Sequence, residues 1–338
     1  MKTNRFNLGF VGFCLLAAAA VAQAEDFAQM TAIKQKSVTQ GFGQSALPVL
    51  QRTAASTPEQ VSRSLLDKLC AGCAVTKATQ GSNLQITGEN VVLSVSADAT
   101  SADFRNPAVQ AKAHSLAKPL EGKMSQAQLE QAGRAFVAAN LSGVIALGPG
   151  EQLVALSTDY RIEGLQNLST GAVTRSVVAN RVLFGRTLNG VPVVGNGSTV
   201  VVTFANDLSV ESFHYDWPVY KTTALSGQNL VSAASVLTRV QQVLGARTGA
   251  AVTSTVRVPT LVEATSPVAL NLGTTLQSLQ CGYYDAGAAA GHAQVQPGCV
   301  YHAVFLDTTG MRQGYAGAVP GGLQFQADAK WPETQLLK

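Results

Sequence analysis

The histidines of this chain could act as general bases or as metal ligands near neutral pH. There are four of them: His114, His214, His292 and His302. No pair has the short spacing of a zinc-protease helix, so a hydrolytic site would need scattered residues. His214 or His292 would be its base, and nearby carboxylates are Asp216 and Asp285. This hydrolase is the alternative function that the sequence leaves open.

Ser115 and Lys118 have the spacing of the nucleophile and base of penicillin-binding enzymes. That chemistry requires a helix, and Pro119, directly after the lysine, breaks one. The chain also contains no HExxH and no GxSxG. Gly195 and Gly197 lie between predicted strands rather than before a helix, so they do not form a phosphate-binding loop. We therefore predict no catalytic residue, no cofactor and no metal site.

The N-terminal residues have the pattern of a signal peptide. Lys2 and Arg5 precede an apolar run from Leu8 to Val21. The Ala22-Gln23-Ala24 that follows is a small-x-small cleavage pattern. We therefore predict a signal peptide at residues 1–24 and export to the periplasm or the extracellular medium. No other stretch is long and apolar enough for a membrane span.

The charge balance of the mature chain argues against nucleic-acid binding. Removing Lys2 and Arg5 from the 24 basic residues leaves 22 against 20 acidic ones, a net charge of +2. Nucleic-acid binding requires basic residues clustered on one face. Charged residues make up only 13% of the chain, which together with many small residues favours sheets.

Four cysteines lie outside the predicted signal peptide: Cys70, Cys73, Cys281 and Cys299. We predict that they form disulfides. An even number in an oxidising compartment favours disulfides over structural zinc. Four cysteines allow three connectivities, and proximity along the chain favours Cys70–Cys73 and Cys281–Cys299. A redox role for the first pair is less favoured, because it ends a predicted helix whose dipole opposes a thiolate.

Local start signals predict three helices. Thr57-Pro58-Glu59-Gln60 and Ser125-Gln126-Ala127-Gln128 are capping boxes. Apolar residues at helical intervals predict a third helix from Asn229 to Leu244. Residues 25–56 are irregular and polar and are interpreted as an extended or partly disordered lead-in. A hairpin turning at Gly88-Glu89-Asn90 follows the first helix, and residues 98–124 are interpreted as a connecting segment. Strand-like patterns follow the other two helices. We therefore predict an α+β fold with helices packed on antiparallel meander sheets, in repeated helix-then-strands units.

Residues 181–210, RVLFGRTLNGVPVVGNGSTVVVTFANDLSV, predict an antiparallel meander. Asn189-Gly190 suits a tight hairpin turn, and Gly195-Asn196-Gly197 suits a second turn. This stretch resembles the fungalysin/thermolysin-type propeptide of secreted metalloproteases and its PepSY-like relatives. The matching residues are Arg186, Asn189, Gly190, Val191, Pro192, Val193, Gly195 and the strand from Thr199 to Phe204.

The resemblance implies a division of the chain and a function. Its parts would be the signal peptide (1–24), an N-terminal region with helix and hairpin (25–124), a propeptide-like α+β domain (125–225) and a PepSY-like α+β domain with a disulfide loop (226–338). In that family the domain acts as chaperone and inhibitor of the protease that follows it. The resemblance therefore implies an exported, non-catalytic binding protein, a chaperone or inhibitor of another exported protein such as a metalloprotease. A structural envelope component is a further alternative.

Aromatic residues concentrate at the end of the meander. Phe213, Tyr215, Trp217 and Tyr220 are candidates for a partner-binding edge, since Tyr and Trp are favoured at interface hot spots. In the structural interpretation, the rings of Phe213, Tyr215 and Trp217 would all lie on one face of a strand and supply packing area. The sequence favours this packing role over the binding role.

Overall fold

The structure is a computed structural model that describes residues 46–167, 169–225, 227–229, 231–248, 268–270, 274–287, 294–306, 312–322 and 335–337. The predicted signal peptide (1–24) and His292 lie outside the described residues.

Most of the described chain is strand. In chain order the strands are β1 (Leu50–Thr53), β2 (Val75–Gln80), β3 (Asn83–Gly88), β4 (Val92–Val95), β5 (Ser101–Arg105), β6 (Lys118–Pro119), β7 (Glu151–Gln166), β8 (Val173–Leu188), β9 (Val191–Val194), β10 (Thr199–Phe204), β11 (Val210–Asp216), β12 (Val219–Thr222), β13 (Val268–Leu270), β14 (Thr274–Tyr284), β15 (Gln294–Leu306), β16 (Arg312–Pro320) and β17 (Gln335–Leu337). The α-helices are α1 (Pro58–Leu69), α2 (Pro107–Lys112), α3 (Gln126–Phe136) and α4 (Ala233–Thr248). Two short 3-10 helices (Ala113–Leu116 and Leu120–Gly122) and a π-helical turn (Val137–Leu141) complete the helical segments of the described chain.

The predicted fold class is wrong, because the described chain is mostly β, with one large mixed sheet and few helices. Two causes account for the difference. Segments interpreted as lead-in or connection form strands, among them β1 and β5. In addition, β7 and β8 are long strands of 16 residues each. Repeated units of one helix followed by a meander sheet do not describe this arrangement.

The main part of the sheet runs in the spatial order β2, β3, β4, β5, β11, β10, β8, β7, and every neighbouring pair is antiparallel. The strand β5, which the sequence did not predict, joins the hairpins of the N-terminal region to the strands of the meander. The sheet is therefore continuous across residue 124.

The capping-box predictions are confirmed. Thr57 and Ser125 each accept a hydrogen bond from the third helical residue, and that residue's glutamine side chain accepts from the cap backbone. These boxes begin α1 and α3, which place Leu65 and Phe136 in the core of the main part of the sheet. The third predicted helix exists as α4, and it begins at Ala233, four residues later than predicted.

The predicted meander is only partly present. Asn189 and Gly190 have φ values of 51° and 82°, which confirms the tight turn between β8 and β9. The strand β9 pairs with β8 only through Val191 and Pro192, and its next two residues, Val193 and Val194, pair in parallel with β14. As a result β10 pairs with β8 instead of β9. The second glycine turn therefore redirects the chain between two parts of the sheet.

The C-terminal part of the sheet runs β13, β14, β15, β16, β17. Cys281 and Cys299 are directly opposite each other on β14 and β15, and they form a buried disulfide. Cys70 and Cys73 form a second disulfide at the end of α1. These are the two pairings that proximity along the chain favoured.

Two strands lie at the junction of these parts. The strand β9 pairs with β8 of the main part and with β14 of the C-terminal part, and β1 joins β12 to β15. All four residues of β1 pair with β12, and Leu50 and Gln51 also pair with Val295 and Gln294 of β15. Apolar contacts around β1 form a small core that includes Leu50, Val191 and Tyr283. The N-terminal strand therefore closes the junction between the parts.

Replacing Gly133 by alanine should destabilise the fold. A Cβ there would lie 2.7 Å from Val182 and from the ring of Phe184, both of which are fully buried under α3. We expect the overpacking cost of about 1–3 kcal/mol to exceed the helix-propensity gain of about 1 kcal/mol. Gly122→Ala is the control, since its nearest atom would lie 3.8 Å away. Urea unfolding measures both variants, and equal stabilities would contradict this packing.

Candidate functional site

A buried cluster of charges lies at the junction that β1 closes. The Nη1 atom of Arg52 lies 2.5 and 2.6 Å from the two carboxylate oxygens of Asp285, and its Nη2 atom lies 2.7 Å from Asp216 Oδ1. The side chains of the arginine, Asp216 and Asp285 are 5%, 6% and 1% exposed. One cation is thus held between two carboxylates, away from water. We call these three residues the Arg52 cluster.

Polar side chains extend the Arg52 cluster on two sides. Arg52 Nη2 also donates to Thr100 Oγ1 at 3.2 Å, and that hydroxyl donates to Asp98 at 2.9 Å. On the other side the Tyr220 hydroxyl donates to Asp285 and lies 2.7 Å from Ser198 Oγ. Arg52 and Asp285 therefore each have several partners, and partners of this kind keep buried charges stable.

The surroundings set the protonation of these groups. Burial alone would lower the pKa of Arg52, but Asp285 and Asp216 raise that pKa above its ordinary value. Burial, and then the charge of Asp285, raise the pKa of Tyr220 well above its ordinary value. The arginine therefore stays charged, and the tyrosine stays a hydrogen-bond donor.

The glycines of the second turn are required by close approach to Asp285. A Cβ at Gly197 would lie 2.1 Å from the aspartate carboxyl carbon, and one at Gly195 would lie 2.3 Å from its backbone oxygen. Gly195 also has a φ of 101°. The backbone of Asp285 also bonds to this turn at two points. Its N–H donates to Val194 O at 2.9 Å, and its carbonyl oxygen accepts from the N–H of Gly197 at 3.0 Å.

The hydrogen-bonded chain from Ser198 through Tyr220 to Asp285 has the residue types of a nucleophile, a relay and an acid. Ser198 is fully buried, with a φ of 55°, so its hydroxyl does not reach a substrate in this conformation. The raised pKa of Tyr220 also makes the phenol a poor base. The cluster is therefore structural in this conformation.

The hydrolase alternative is not assembled in the described part of the chain. Asp216 and Asp285 do meet, but around Arg52. His214 Nδ1 lies 2.9 Å from Asp103, its cross-strand neighbour. Within the described ranges, no three His, Cys, Asp or Glu side chains are grouped to hold a metal ion.

The candidate partner-binding aromatics are mostly core residues. Phe213, Tyr215 and Trp217 are almost fully buried, so they do not offer an exposed partner-binding edge in this fold. Tyr220 stacks on Arg186, whose guanidinium carbon also lies 4.9 Å from the centre of the Trp217 ring. Alternation of rings onto one strand face explains the pattern, which is the packing role that the sequence favoured.

The two most exposed large apolar residues of the described chain lie on the long hairpin of β7 and β8. They are Leu165 and Val173, at 77% and 56% exposed, and Ile162 nearby is 39% exposed. They occupy the far end of the hairpin, where β7 residues 162–166 pair with β8 residues 173–177. Asn167 accepts hydrogen bonds from the N–H groups of Ser169 and Thr170 and so orders the turn. We call residues 162–177 the hairpin tip.

The strand β7 is also an edge strand. In the described ranges it pairs with β8 and with no other strand. Near its beginning, Arg134 of α3 donates to Leu153 O at 3.0 Å and so occupies one edge carbonyl. Further along, Ser157 and Thr158 are buried, and the Tyr160 hydroxyl donates to Met124 O at 2.6 Å. From Arg161 to Gln166 the strand is exposed or half-exposed, so this last part of β7 is where another strand could reach the edge.

Sequence reasoning missed Arg52 and the hairpin tip. Arg52 lies in a segment interpreted as an extended lead-in, and its partners are 164 and 233 residues away. Only the Gly195-x-Gly197 turn gave a local signal of close backbone approach. The hairpin tip lies in a region with a recognised strand-like pattern, but nothing in the sequence marked which of its side chains are exposed.

Among the described residues, no helix is long and apolar enough to cross a membrane. No family model and no curated protein matches the chain. The chain is similar to a solved structure of an uncharacterized protein from Eubacterium rectale, at 9% identity and a TM-score of 0.48, over 83% of this chain and 86% of that one. We draw neither fold nor function from a similarity at this level. The propeptide resemblance therefore rests on the motif at 181–210 alone.

Replacing Arg52 by methionine should strongly destabilise the protein. The change leaves Asp216 and Asp285 buried beside each other without their cation, which we expect to cost about 3–5 kcal/mol. The measurement is the free energy of unfolding in urea. Arg181→Met is the control, because its pair with Asp159 is exposed and contributes less than about 1 kcal/mol. Equal losses in the two variants would contradict the role of the cluster.

The pair of His214 and Asp103 should make stability depend on pH. The hydrogen bond to Asp103, although opposed by burial, raises the pKa of His214. Its stabilisation is therefore present below the unfolded pKa of about 6.5 and is lost as pH rises through the folded pKa. Near pH 5.5 the free energy of unfolding of the wild type should exceed that of His214→Gln by less than about 1 kcal/mol, since both groups of the pair are partly exposed. Near pH 9 the two should agree, and a constant difference would contradict this assignment.

Proposed function

We propose that the protein is an exported, non-catalytic binding protein that captures an extended segment of another exported protein along the exposed end of β7, residues 161–166. The observation that carries this proposal is that this end of an edge strand is exposed and carries the apolar side chains of Ile162 and Leu165. Addition of a strand to such an edge is a common mode of peptide recognition, in which backbone hydrogen bonds supply affinity.

The hairpin tip departs from the usual protection of edge strands. Natural edges are blunted by lysine, proline or covering elements. Residues 162–166 contain neither lysine nor proline, and Glu163 is their one charged residue. Exposed apolar residues beside an open edge favour association with a partner strand over permanent solvation.

The arrangement of the charged groups supports a non-catalytic role. The strongest charge cluster is buried and serves to join three stretches of the chain. The two disulfides are consistent with an exported protein. Within this proposal, the finer function is chaperoning or inhibiting an exported protein such as a metalloprotease, as the propeptide resemblance implies.

Capture of co-exported proteins on the immobilised, oxidised protein tests the proposal. The double variant Leu165→Lys with Val173→Lys should lower specific capture about tenfold or more, because lysine at an edge opposes strand addition. Leu147→Lys with Leu225→Lys is the matched control, since it changes two exposed apolar residues and the same charge elsewhere. Unchanged capture by the tip variant would exclude this edge as the site. Turnover of a hydrolase substrate by purified protein would favour the alternative instead.

A further inference from the structure

We infer that the segment captured at the exposed end of β7 carries an aromatic side chain opposite Gly164. This inference deepens the proposed function and rests on it, because it specifies what the captured segment must present. In the register of β7 and β8, Gly164 lies directly opposite Arg175, and Gln166 lies directly opposite Val173. Directly opposed residues, and residues two apart on one strand, share a face of the sheet. The hairpin tip therefore has Ile162, Gly164, Val173 and Arg175 on one face, and we call these four residues the Gly164 notch.

Nothing in the described structure requires a glycine at position 164. A Cβ there would lie 3.7 Å from Val173 Cγ1, an ordinary contact, and apart from its chain neighbours no other described residue would come within 4 Å of it. Gly164 also lacks the positive φ that favours glycine. A glycine inside a strand weakens the strand and often marks a place where a ligand or another backbone approaches closely. The notch is therefore a gap in a row of side chains that a side chain from outside can fill.

Two apolar side chains border this gap. Ile162 precedes the glycine by two residues on β7, and Val173 lies diagonally across from it on β8. Both are exposed, so their apolar surfaces remain in water. A captured strand would place the residue opposite Gly164 between them, at distances that aromatic side chains span within a sheet. An aromatic ring there would cover both apolar surfaces at once, which an alanine side chain is too short to do.

Arg175 favours an aromatic ring over an aliphatic side chain. It is exposed and lies on the strand beyond Gly164, so the glycine would lie between Arg175 and a captured strand. With neighbouring strands about 4.8 Å apart, the Cα of the captured residue would be about 10 Å from that of Arg175, and both side chains would extend over the glycine. A guanidinium over the face of an aromatic ring is attracted by the ring quadrupole. An aliphatic side chain of the same size lacks this attraction.

An acidic side chain is the competing occupant, since Arg175 is a cation at the surface. An exposed ion pair contributes little, because water and salt screen both charges and two long side chains must be fixed. A carboxylate would also leave the apolar surfaces of Ile162 and Val173 uncovered. The combination of a gap, apolar borders and a guanidinium therefore favours an aromatic ring.

Peptide binding to the oxidised mature protein tests the inference. The probe is a fluorescein-labelled, strand-forming peptide of threonine and valine residues whose one central phenylalanine sets the register, and fluorescence anisotropy measures its affinity. Replacing the phenylalanine by alanine should raise the dissociation constant about tenfold, and replacing it by cyclohexylalanine about two- to fivefold. Cyclohexylalanine has nearly the shape of phenylalanine without the π system, so this comparison isolates the contact with Arg175.

The variant Arg175→Met removes the charge and keeps most of the side-chain length. In this variant the phenylalanine and cyclohexylalanine peptides should bind equally. Arg105→Met is the matched control, since it removes an exposed strand arginine from β5 and should leave the preference for phenylalanine unchanged. Circular dichroism and thermal unfolding verify that both variants fold.

The outcomes separate this inference from the proposed function. Three results overturn the inference: equal binding of the phenylalanine and cyclohexylalanine peptides to the wild type, tighter binding of a glutamate peptide, or a preference that persists in Arg175→Met. If such peptides nevertheless bind, and lose affinity in the variant Leu165→Lys with Val173→Lys, the proposed function still stands. If the wild type binds none of the peptides, the inference fails, and capture of exported proteins decides the proposed function alone.

Discussion

The attraction between Arg52 and two buried aspartates is the constraint on which the rest of the structure depends. Charges this deeply buried are tolerable only when they are paired, so Arg52, Asp216 and Asp285 must be in place together. They come from β1, from the end of β11 and from the residue that follows β14. The two parts of the sheet are consequently fixed to one another by a polar contact with strict geometry, surrounded by the apolar contacts of β1.

Local features of the sequence predicted local structure well. The capping boxes at Thr57 and Ser125 begin helices where expected, because a cap is decided by four consecutive residues. The turn at Asn189 and the disulfide pairings were predicted for similar reasons. The fold class was not, because β5 and β1 become strands only through partners far along the chain. These strands have five and four residues, which is too short for a local sequence pattern to predict such distant pairing.

In the candidate site, too, the local features could be predicted from the sequence and the distant contacts could not. Gly195 and Gly197 were visible as turn residues, yet the aspartate that requires them lies about ninety residues later and was considered only for catalysis. The aromatic run at Phe213 supported both a binding role and a packing role, and burial decided for packing. The hairpin tip shows the opposite case, in which ordinary strand residues are distinctive because their side chains are exposed in the described structure.

The position of β1 has a consequence for how the chain folds. It is the first described strand, yet it pairs with β15, whose residues 294 and 295 are made long afterwards. Contacts of such long range form slowly, because the loop that joins them must be closed first. The pairing of β1 with β15 therefore waits until nearly all of the described chain has been made, and β1 is among the last strands to complete its contacts.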